Sequence, residues 1–147
     1  MNKKIIATNR KAYFNYELLE KYEAGISLLG SEVKSIRAGH IDIKNGYINI
    51  EKGEFFLYNI NILPYKQLSD KKYNPLRPRK LLLHRREIKK LQEKIAIKGF
   101  AIIPTEVYFR NGLVKVEISV AKGKKLWDKR AVIKEREIKK RIRELEN

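Results

Sequence analysis

The most constraining feature of the sequence is the segment "TEVYFRNGLVKVEISVAK", residues 105–122, which contains an Asn-Gly pair followed by alternating apolar and polar residues. Apolar residues stand at every second position, Val114, Val116 and Ile118. The positions between them are charged or polar. A period of two is typical of a β-strand with one buried and one solvated face. Asn-Gly favours the tight turn of a hairpin. The segment therefore predicts two long antiparallel strands joined by a two-residue turn.

The same alternation appears earlier, in "IDIKNGYINI" (residues 41–50) and "FFLYNINI" (residues 55–62). Asn45-Gly46 and the Lys52-Gly53 pair in "EKGE" are turn signals inside and between these segments. We therefore expect successive antiparallel strands here as well.

Helical spacing is rarer. Ile88, Leu91 and Ile95 lie three and four residues apart, which predicts a helix of three to four turns with Gly99 as a left-handed stop. A shorter helix is expected to begin at Gly30.

Residues 65–79, "YKQLSDKKYNPLRPR", contain two prolines, no apolar periodicity and mostly positive charge, which predicts a long exposed loop. Short strands, glycine turns and few helices predict a mainly β fold: an antiparallel barrel of the oligonucleotide-binding type with flanking α-helices. An open antiparallel sheet with helices on one side is the alternative.

The charge balance points to a polyanionic partner. Lys and Arg number 34 against 17 Asp and Glu, a net charge of +17 in a chain of 147 residues. Such an excess favours RNA or DNA as the partner. A basic membrane-surface protein is the competing interpretation, but it requires an amphipathic helix with bulky apolar anchors. No run of about 20 apolar residues is present, so we expect a cytoplasmic protein that does not contact a membrane.

Enzymatic patterns are weak. There is no cysteine, and the two histidines, His40 and His84, lie in unrelated segments without a metal-ligand spacing. A glycine-rich phosphate loop is not found either. We therefore expect no catalytic residue, no bound metal and no cofactor.

A basic cluster runs from the proline-containing loop into the predicted helix, and it could contact several phosphates at once. A solvated helix face is the alternative interpretation. The cluster consists of Arg77, Arg79, Lys80, Arg85 and Arg86.

The last 26 residues differ from the rest. Residues 122–147 contain eleven basic and five acidic residues and only a narrow apolar stripe. So little apolar surface does not hold a helix of this length on its own. We therefore predict two parts: an RNA-binding barrel domain, residues 1–121, and a basic C-terminal tail, residues 122–147, that is disordered or partly helical when free.

Three segments in order, "NRKAYFNYELLEKYEAGISLLGSEVKSIRAG", "NPLRPRKLLLHRREI" and "AKGKKLWDKR", resemble the SmpB family, the protein partners of transfer-messenger RNA (tmRNA). The match runs from about Asn9 to Glu137, and the ordered combination of motifs is very specific.

The resemblance implies an oligonucleotide-binding-type barrel that is not an enzyme. Its body would bind the tRNA-like domain of tmRNA, acting as a monomer in the functional complex. Its tail would occupy the empty mRNA channel and the decoding centre of a stalled ribosome. The complex would then support trans-translation, in which the unfinished protein is tagged and the ribosome is freed.

Carried over from the family, the RNA-contact positions fall on Asn9, Glu23 and Leu82. A carboxylate at Glu23 could accept hydrogen bonds from base or ribose donors, although a salt bridge within the barrel is the alternative. Leu82 could contact an unstacked base. Basic neighbours that we add as phosphate contacts are Lys11, Arg79 and Lys80.

In the tail, Trp127 is predicted to stack on a base at the decoding centre, with packing on the barrel as the alternative. The family's ribosome-binding motif falls on Gly123, Lys124, Lys125, Asp128, Lys129 and Arg130.

Two other functions stay open on sequence grounds. One is a general single-strand RNA-binding module, and the other is a nucleic-acid-processing enzyme that uses His84 and nearby acids. Neither explains the tail.

Overall fold

The computed structural model describes residues 3–65 and 72–123, which form nine strands and three helices. The strands are β1 (Lys3–Thr8), β2 (Tyr16–Ile26), β3 (Ile41–Asp42), β4 (Tyr47–Glu51), β5 (Glu54–Tyr58), β6 (Asn61–Ile62), β7 (Arg79–Leu82), β8 (Phe100–Arg110) and β9 (Leu113–Gly123). The helices are α1 (Arg10–Asn15), α2 (Gly30–Arg37) and α3 (Arg85–Ile95).

Seven strands form one antiparallel sheet in the order β1-β8-β9-β2-β7-β5-β4, and β3 pairs with β6 in a separate two-stranded sheet. The large sheet bends so that β4 lies alongside β8, but hydrogen bonds do not join these two strands in the part of the chain described. The predicted mainly β class, with antiparallel strands and flanking helices, is confirmed. The barrel is only partly closed.

The β8–β9 hairpin is confirmed. Its turn residues, Asn111 and Gly112, both have positive φ, 52° and 78°, as the tight turn of a twisted hairpin requires. The Lys52-Gly53 turn likewise joins the paired strands β4 and β5. Period-two alternation and turn chemistry were therefore sufficient to predict both hairpins.

Strands lie on both sides of the predicted turn at Asn45-Gly46, but these two strands, β3 and β4, do not pair with each other. Strand β3 pairs with β6 instead. Gly46 has a packing role, because a Cβ there would lie 2.8 Å from Cγ2 of Ile60 and 2.9 Å from Cγ of Pro104. Glycine is needed at this point because two other segments approach the backbone closely.

Both predicted helices are present. Helix α2 begins at Gly30, and α3 buries Leu91 completely. The α3 helix ends at Ile95, before Gly99, because the chain tightens into three-residue turns in which the Ile97 N–H donates to the Lys94 carbonyl at 3.2 Å. No described helix is long and apolar enough to cross a membrane.

The apolar core lies where buried residues of the strands meet α2 and α3. Its members are nearly all aliphatic. They include Ala24, Ile36, Ile43, Phe55, Leu57, Ile60, Ile62, Leu81, Leu91, Val107, Val116 and Ile118.

A charged cluster is buried beside this core. The carboxylate of Glu32, in α2, is 1% exposed and accepts hydrogen bonds from the guanidinium groups of Arg77 and Arg79. It also accepts from the backbone N–H of Leu29, at 2.9 Å, at the start of the same helix. One side chain thus connects α2 to the segment before β7 and to β7 itself.

Arg79 has no exposed surface. Two of its nitrogens donate to Glu32, a third donates to the carbonyl oxygens of Ile60 and Pro75 at 3.1 and 3.0 Å, and the remaining N–H donates to the Tyr73 hydroxyl at 3.1 Å. All five N–H donors of the guanidinium therefore have acceptors inside the protein.

The segment between β6 and β7 is more than an exposed loop. The Tyr73 hydroxyl donates to the Ile62 carbonyl at 2.8 Å, and Arg77 binds Glu32. The predicted loop is confirmed for residues 72–78, in which alternate residues are exposed, and the contacts of Tyr73 and Arg77 attach it to the body. Arg79 is the first residue of β7. Residues 66–71 of the predicted loop lie outside the described residues.

The boundary predicted at residue 121 falls inside a strand. Lys122 pairs with Phe100, and Gly123 pairs with Tyr16, so the folded body continues through Gly123. The conformation predicted for the tail, residues 124–147, concerns residues outside the described part of the chain.

We predict that Glu32→Gln lowers the free energy of unfolding by roughly 3–5 kcal/mol, because it leaves a buried guanidinium without its counter-charge. Chemical denaturation measures this. Glu54→Gln is the matched control, since Glu54 pairs with Lys80 at the surface and should cost less than about 1 kcal/mol. Equal, small effects of the two substitutions would contradict a structural role for Glu32.

The same carboxylate should make the protein sensitive to acid. Burial acts to raise the pKa of Glu32, but hydrogen bonds from Arg77, from the Leu29 N–H and from Arg79 outweigh it and hold the pKa below its ordinary value of 4.5. Because the folded-state pKa is the lower one, the stabilisation is present above pH 4.5 and is lost as the pH falls through the folded-state pKa. Unfolding free energy measured against pH should therefore fall less steeply in Glu32→Gln than in the parent or in Glu54→Gln; parallel curves would refute this.

Candidate RNA-binding surface

Two of the residues predicted to contact RNA, Glu23 and Leu82, lie on adjacent strands. Strand β7 pairs with β2 so that Leu82 is opposite Gly25, two residues after Glu23. In β7 the side chains of Arg79 and Leu81 are buried, while those of Lys80 and Leu82 are exposed. The structure therefore brings Glu23 and Leu82 to one outer face.

Gly25 sets the spacing between these strands. A Cβ at this position would lie 3.2 Å from Cβ of Leu82, tighter than ordinary contact. The missing side chain lets Leu82 lie directly on the β2 backbone. This gives the glycine of the "EAG" motif a physical role.

The Glu23 carboxylate is oriented by the protein. It accepts a hydrogen bond from the Tyr108 hydroxyl and pairs with Nη1 of Arg110 at 3.3 Å. Burial and the hydrogen bond to Glu23 raise the pKa of Tyr108, so its hydroxyl stays protonated and donates. The salt bridge considered as an alternative is present, yet 36% of the Glu23 side chain remains exposed to a partner.

Two concavities meet at Leu82. The polar one is lined by Glu23, His84 and Glu87, and the apolar one by Leu28 and Leu113. Three residues line both concavities: Gly25, Leu82 and Lys115.

Lys115 is a candidate that sequence reasoning missed. Alternation in β9 correctly assigned it to the polar face, but only the strand register, with Lys115 opposite Gly25, shows that it lies beside Glu23 and Leu82. Its ammonium group has no ion-pair partner among residues 3–65 and 72–123. A phosphate is the ligand such a group would accept.

The other predicted lysines lie elsewhere. Lys80 is exposed on β7, where its ammonium pairs with Glu54 at 3.1 Å. Lys11, in α1, is exposed and donates to the Asn45 side chain at 3.3 Å, in a separate cleft that also contains Asn9 and Tyr47. Contact between Lys11 or Lys80 and RNA stays a prediction.

Asn9 has a structural role. It is 2% exposed; its side-chain oxygen accepts from the Ala12 N–H at the start of α1, and its side-chain nitrogen donates to the Pro104 carbonyl at 2.9 Å. The structure gives this side chain the roles of capping α1 and attaching it to β8, and its contact with RNA stays a prediction.

The phosphate contact predicted for Arg79 does not fit the structure. Its burial and its five satisfied donors leave it no group for a phosphate. The predicted basic cluster is consequently split: Arg77 and Arg79 bind Glu32, while Arg85 and Arg86 are exposed at the start of α3.

Within residues 3–65 and 72–123, no group of His, Asp and Glu is arranged to hold a metal ion. His40 and His84 are both exposed. His84 is the N-cap of α3, and its backbone N–H donates to the Glu87 carboxylate at 3.1 Å.

Of the predicted ribosome-binding motif, Gly123 belongs to β9, and the structure shows it paired in the sheet. The remaining predicted positions lie outside the described residues: Lys124, Lys125, Trp127, Asp128, Lys129 and Arg130.

Comparison with known proteins decides the family. The family model described as SmpB protein matches residues 6–147. The chain belongs to the SmpB family.

SmpB relatives are similar over nearly their full length. The SsrA-binding protein of Persephonella marina is 53% identical over 142 residues, which cover 97% of this chain and 93% of the relative. That of Thermosipho melanesiensis is 56% identical, with 96% and 97% covered. A solved structure, "tmRNA-SmpB: a journey to the center of the bacterial ribosome", is 45% identical with a TM-score of 0.68, covering 82% of this chain and 85% of that one.

We predict that Glu23→Gln weakens binding of the tmRNA tRNA-like domain by about tenfold or more, as expected for hydrogen bonds to a charged group. Charge alone predicts the opposite, because the variant is more positive and should attract RNA more strongly. Equilibrium titration measures the affinity.

Glu20→Gln is the matched control, since Glu20 lies on the same strand, is similarly exposed and pairs with Lys94. It should bind as tightly as the parent or slightly more so. Tighter binding by both variants would show that Glu23 acts only as a negative charge.

Proposed function

We propose that this SmpB-family chain is an RNA-binding adaptor that binds the tRNA-like domain of tmRNA and delivers it to stalled ribosomes for trans-translation. The observation that carries the proposal is the family match over residues 6–147, together with a structural relative whose name joins tmRNA, SmpB and the bacterial ribosome. The outer face formed by β2, β7 and the start of β9 is the RNA-binding surface in this proposal.

The chemistry of that face suits a folded RNA. Lys115 supplies a positive charge for the backbone, Leu82 is 53% exposed and offers apolar contact, and Glu23 is a fixed hydrogen-bond acceptor. Phosphate contacts supply affinity but read no sequence. Discrimination would come from Glu23 and Leu82, which can address base and ribose groups of unpaired nucleotides.

The tail is proposed to engage the ribosome. Residues 124–147 follow directly from β9, and their sequence is strongly basic. In this proposal they enter the empty mRNA channel, and the motif around Trp127 contacts the decoding centre. The net charge of +17 suits a protein that contacts two large RNAs at once.

An adaptor of this kind needs no catalytic step, so we propose none. Recognition and positioning are sufficient, because the chemistry of peptide transfer belongs to the ribosome. A cytoplasmic location and action as a monomer within the complex are part of the same proposal.

Selectivity separates the adaptor from a general single-strand RNA-binding module. Labelled tRNA-like domain of tmRNA, bound to the full chain, is challenged with a large excess of unlabelled bulk tRNA. We expect the labelled RNA to stay bound. Displacement in proportion to the amount of competitor would reject the adaptor and favour the general module.

Removing residues 124–147 should separate the two activities. We predict unchanged affinity for the tRNA-like domain at physiological salt, where long-range attraction by the tail is screened, and loss of peptide tagging on stalled ribosomes. Filter binding and a reconstituted translation assay measure the two quantities. Parallel loss of both activities would contradict a division of labour between body and tail.

A further inference from the structure

The apolar concavity beside Leu82 has no role in the proposal so far. It has a volume of about 350 Å³ and lies between Leu82, Leu28 and the turn of the β8–β9 hairpin. Leu82 and Leu113 are 53% and 61% exposed. Apolar side chains this exposed, gathered around one cleft, are typical of a binding surface.

Leu82 lies on the boundary between this apolar cleft and the polar cleft of Glu23 and His84, since it lines both. Lys115 also lines both. A nucleotide strand lying across this boundary would have its backbone near one cation and its bases on either side of a leucine.

We propose that the apolar cleft binds one unstacked RNA base, that Leu113 forms its outer wall, and that Leu82 is a wedge separating this base from its neighbour in the polar cleft. The inference rests on the proposed function and adds to it a base-binding subsite and a residue, Leu113. Apolar side chains inserted between adjacent bases are an established way of unstacking them.

Two observations favour RNA over the tail of the chain itself as the occupant. Lys115 at the cleft is complementary to a phosphate backbone and repels a basic tail. The tail also leaves the body at the far end of β9, and eleven residues of strand place Gly123 about 33 Å from Leu113. Continuity with Glu23 through Leu82 favours RNA over a second copy of the chain.

The test uses the full chain and the tRNA-like domain of tmRNA. We expect Leu113→Ala to weaken binding about tenfold, the scale of one base contact, without changing the salt dependence, because no phosphate contact is lost. Leu113→Met, which keeps an apolar wall, should bind like the parent. Leu19→Ala is the matched control, because Leu19 is a strand leucine that is 46% exposed and lines neither cleft.

A nucleotide-resolved measurement distinguishes contact from a merely structural effect. Base-specific chemical probing of the bound RNA should show one base protected by the parent and by Leu113→Met but exposed in Leu113→Ala. Leu82→Ala should restore stacking between that base and its neighbour. Thermal unfolding of each variant, followed by circular dichroism, identifies any variant that fails to fold.

Parent-like affinity and an unchanged probing pattern in a folded Leu113→Ala would overturn the subsite while leaving the adaptor function intact. The subsite would also be overturned if the tail covers the cleft in the free protein, or if the chain forms a dimer that Leu113→Ala dissociates. Failure of the parent itself to bind selectively would reject the proposed function and not the cleft alone.

Discussion

A single carboxylate, that of Glu32, organises the part of the molecule that carries the candidate site. It is buried in α2 and binds both Arg77 and Arg79, which come from a different part of the chain. Burying charge is costly unless every charge is paired and every donor is satisfied. Arg79 meets this condition because all five of its donors have acceptors, whereas Arg77 keeps 30% of its side chain exposed. The cluster fixes α2 against the beginning of β7.

Strand β7 connects the buried Glu32 cluster to the candidate RNA-binding surface. Its four residues alternate between buried and exposed, so Arg79 and Leu81 hold the strand in place while Lys80 and Leu82 face outward. Gly25, opposite Leu82, lets the two backbones approach closely. The position of the exposed leucine therefore depends on a buried ion pair on the other face of the same strand.

Much of the fold could be predicted from local patterns, because alternation, turn pairs and three-to-four spacing report on neighbouring residues. The β8–β9 hairpin and helix α3 are examples. Arg79 could not be predicted this way: inside a run of basic residues it is indistinguishable from an exposed phosphate contact, and its burial is decided by Glu32, which is distant in sequence. The location of Lys115 beside Glu23 and Leu82 depends on the register between β2 and β9, which no local sequence pattern predicts. The capping role of Asn9 could have been predicted from the sequence, because asparagine directly before a helix is a common N-cap.

The candidate site, like the fold, could be predicted from the sequence only in part. Two of the three residues suggested by family resemblance, Glu23 and Leu82, lie together, while the third, Asn9, lies in the Lys11 cleft. Arg79, which was selected by charge alone, is buried. Charge identifies the class of partner, and geometry identifies the face.

Hydrogen–deuterium exchange of the full chain, with and without the tRNA-like domain of tmRNA, tests most directly whether this face is where RNA binds. We predict slower exchange at residues 23–28, 80–84 and 112–116, with the β4–β5 hairpin unchanged. Slowing at the Lys11 cleft or over β4 and β5, with none at Leu82, would contradict the account.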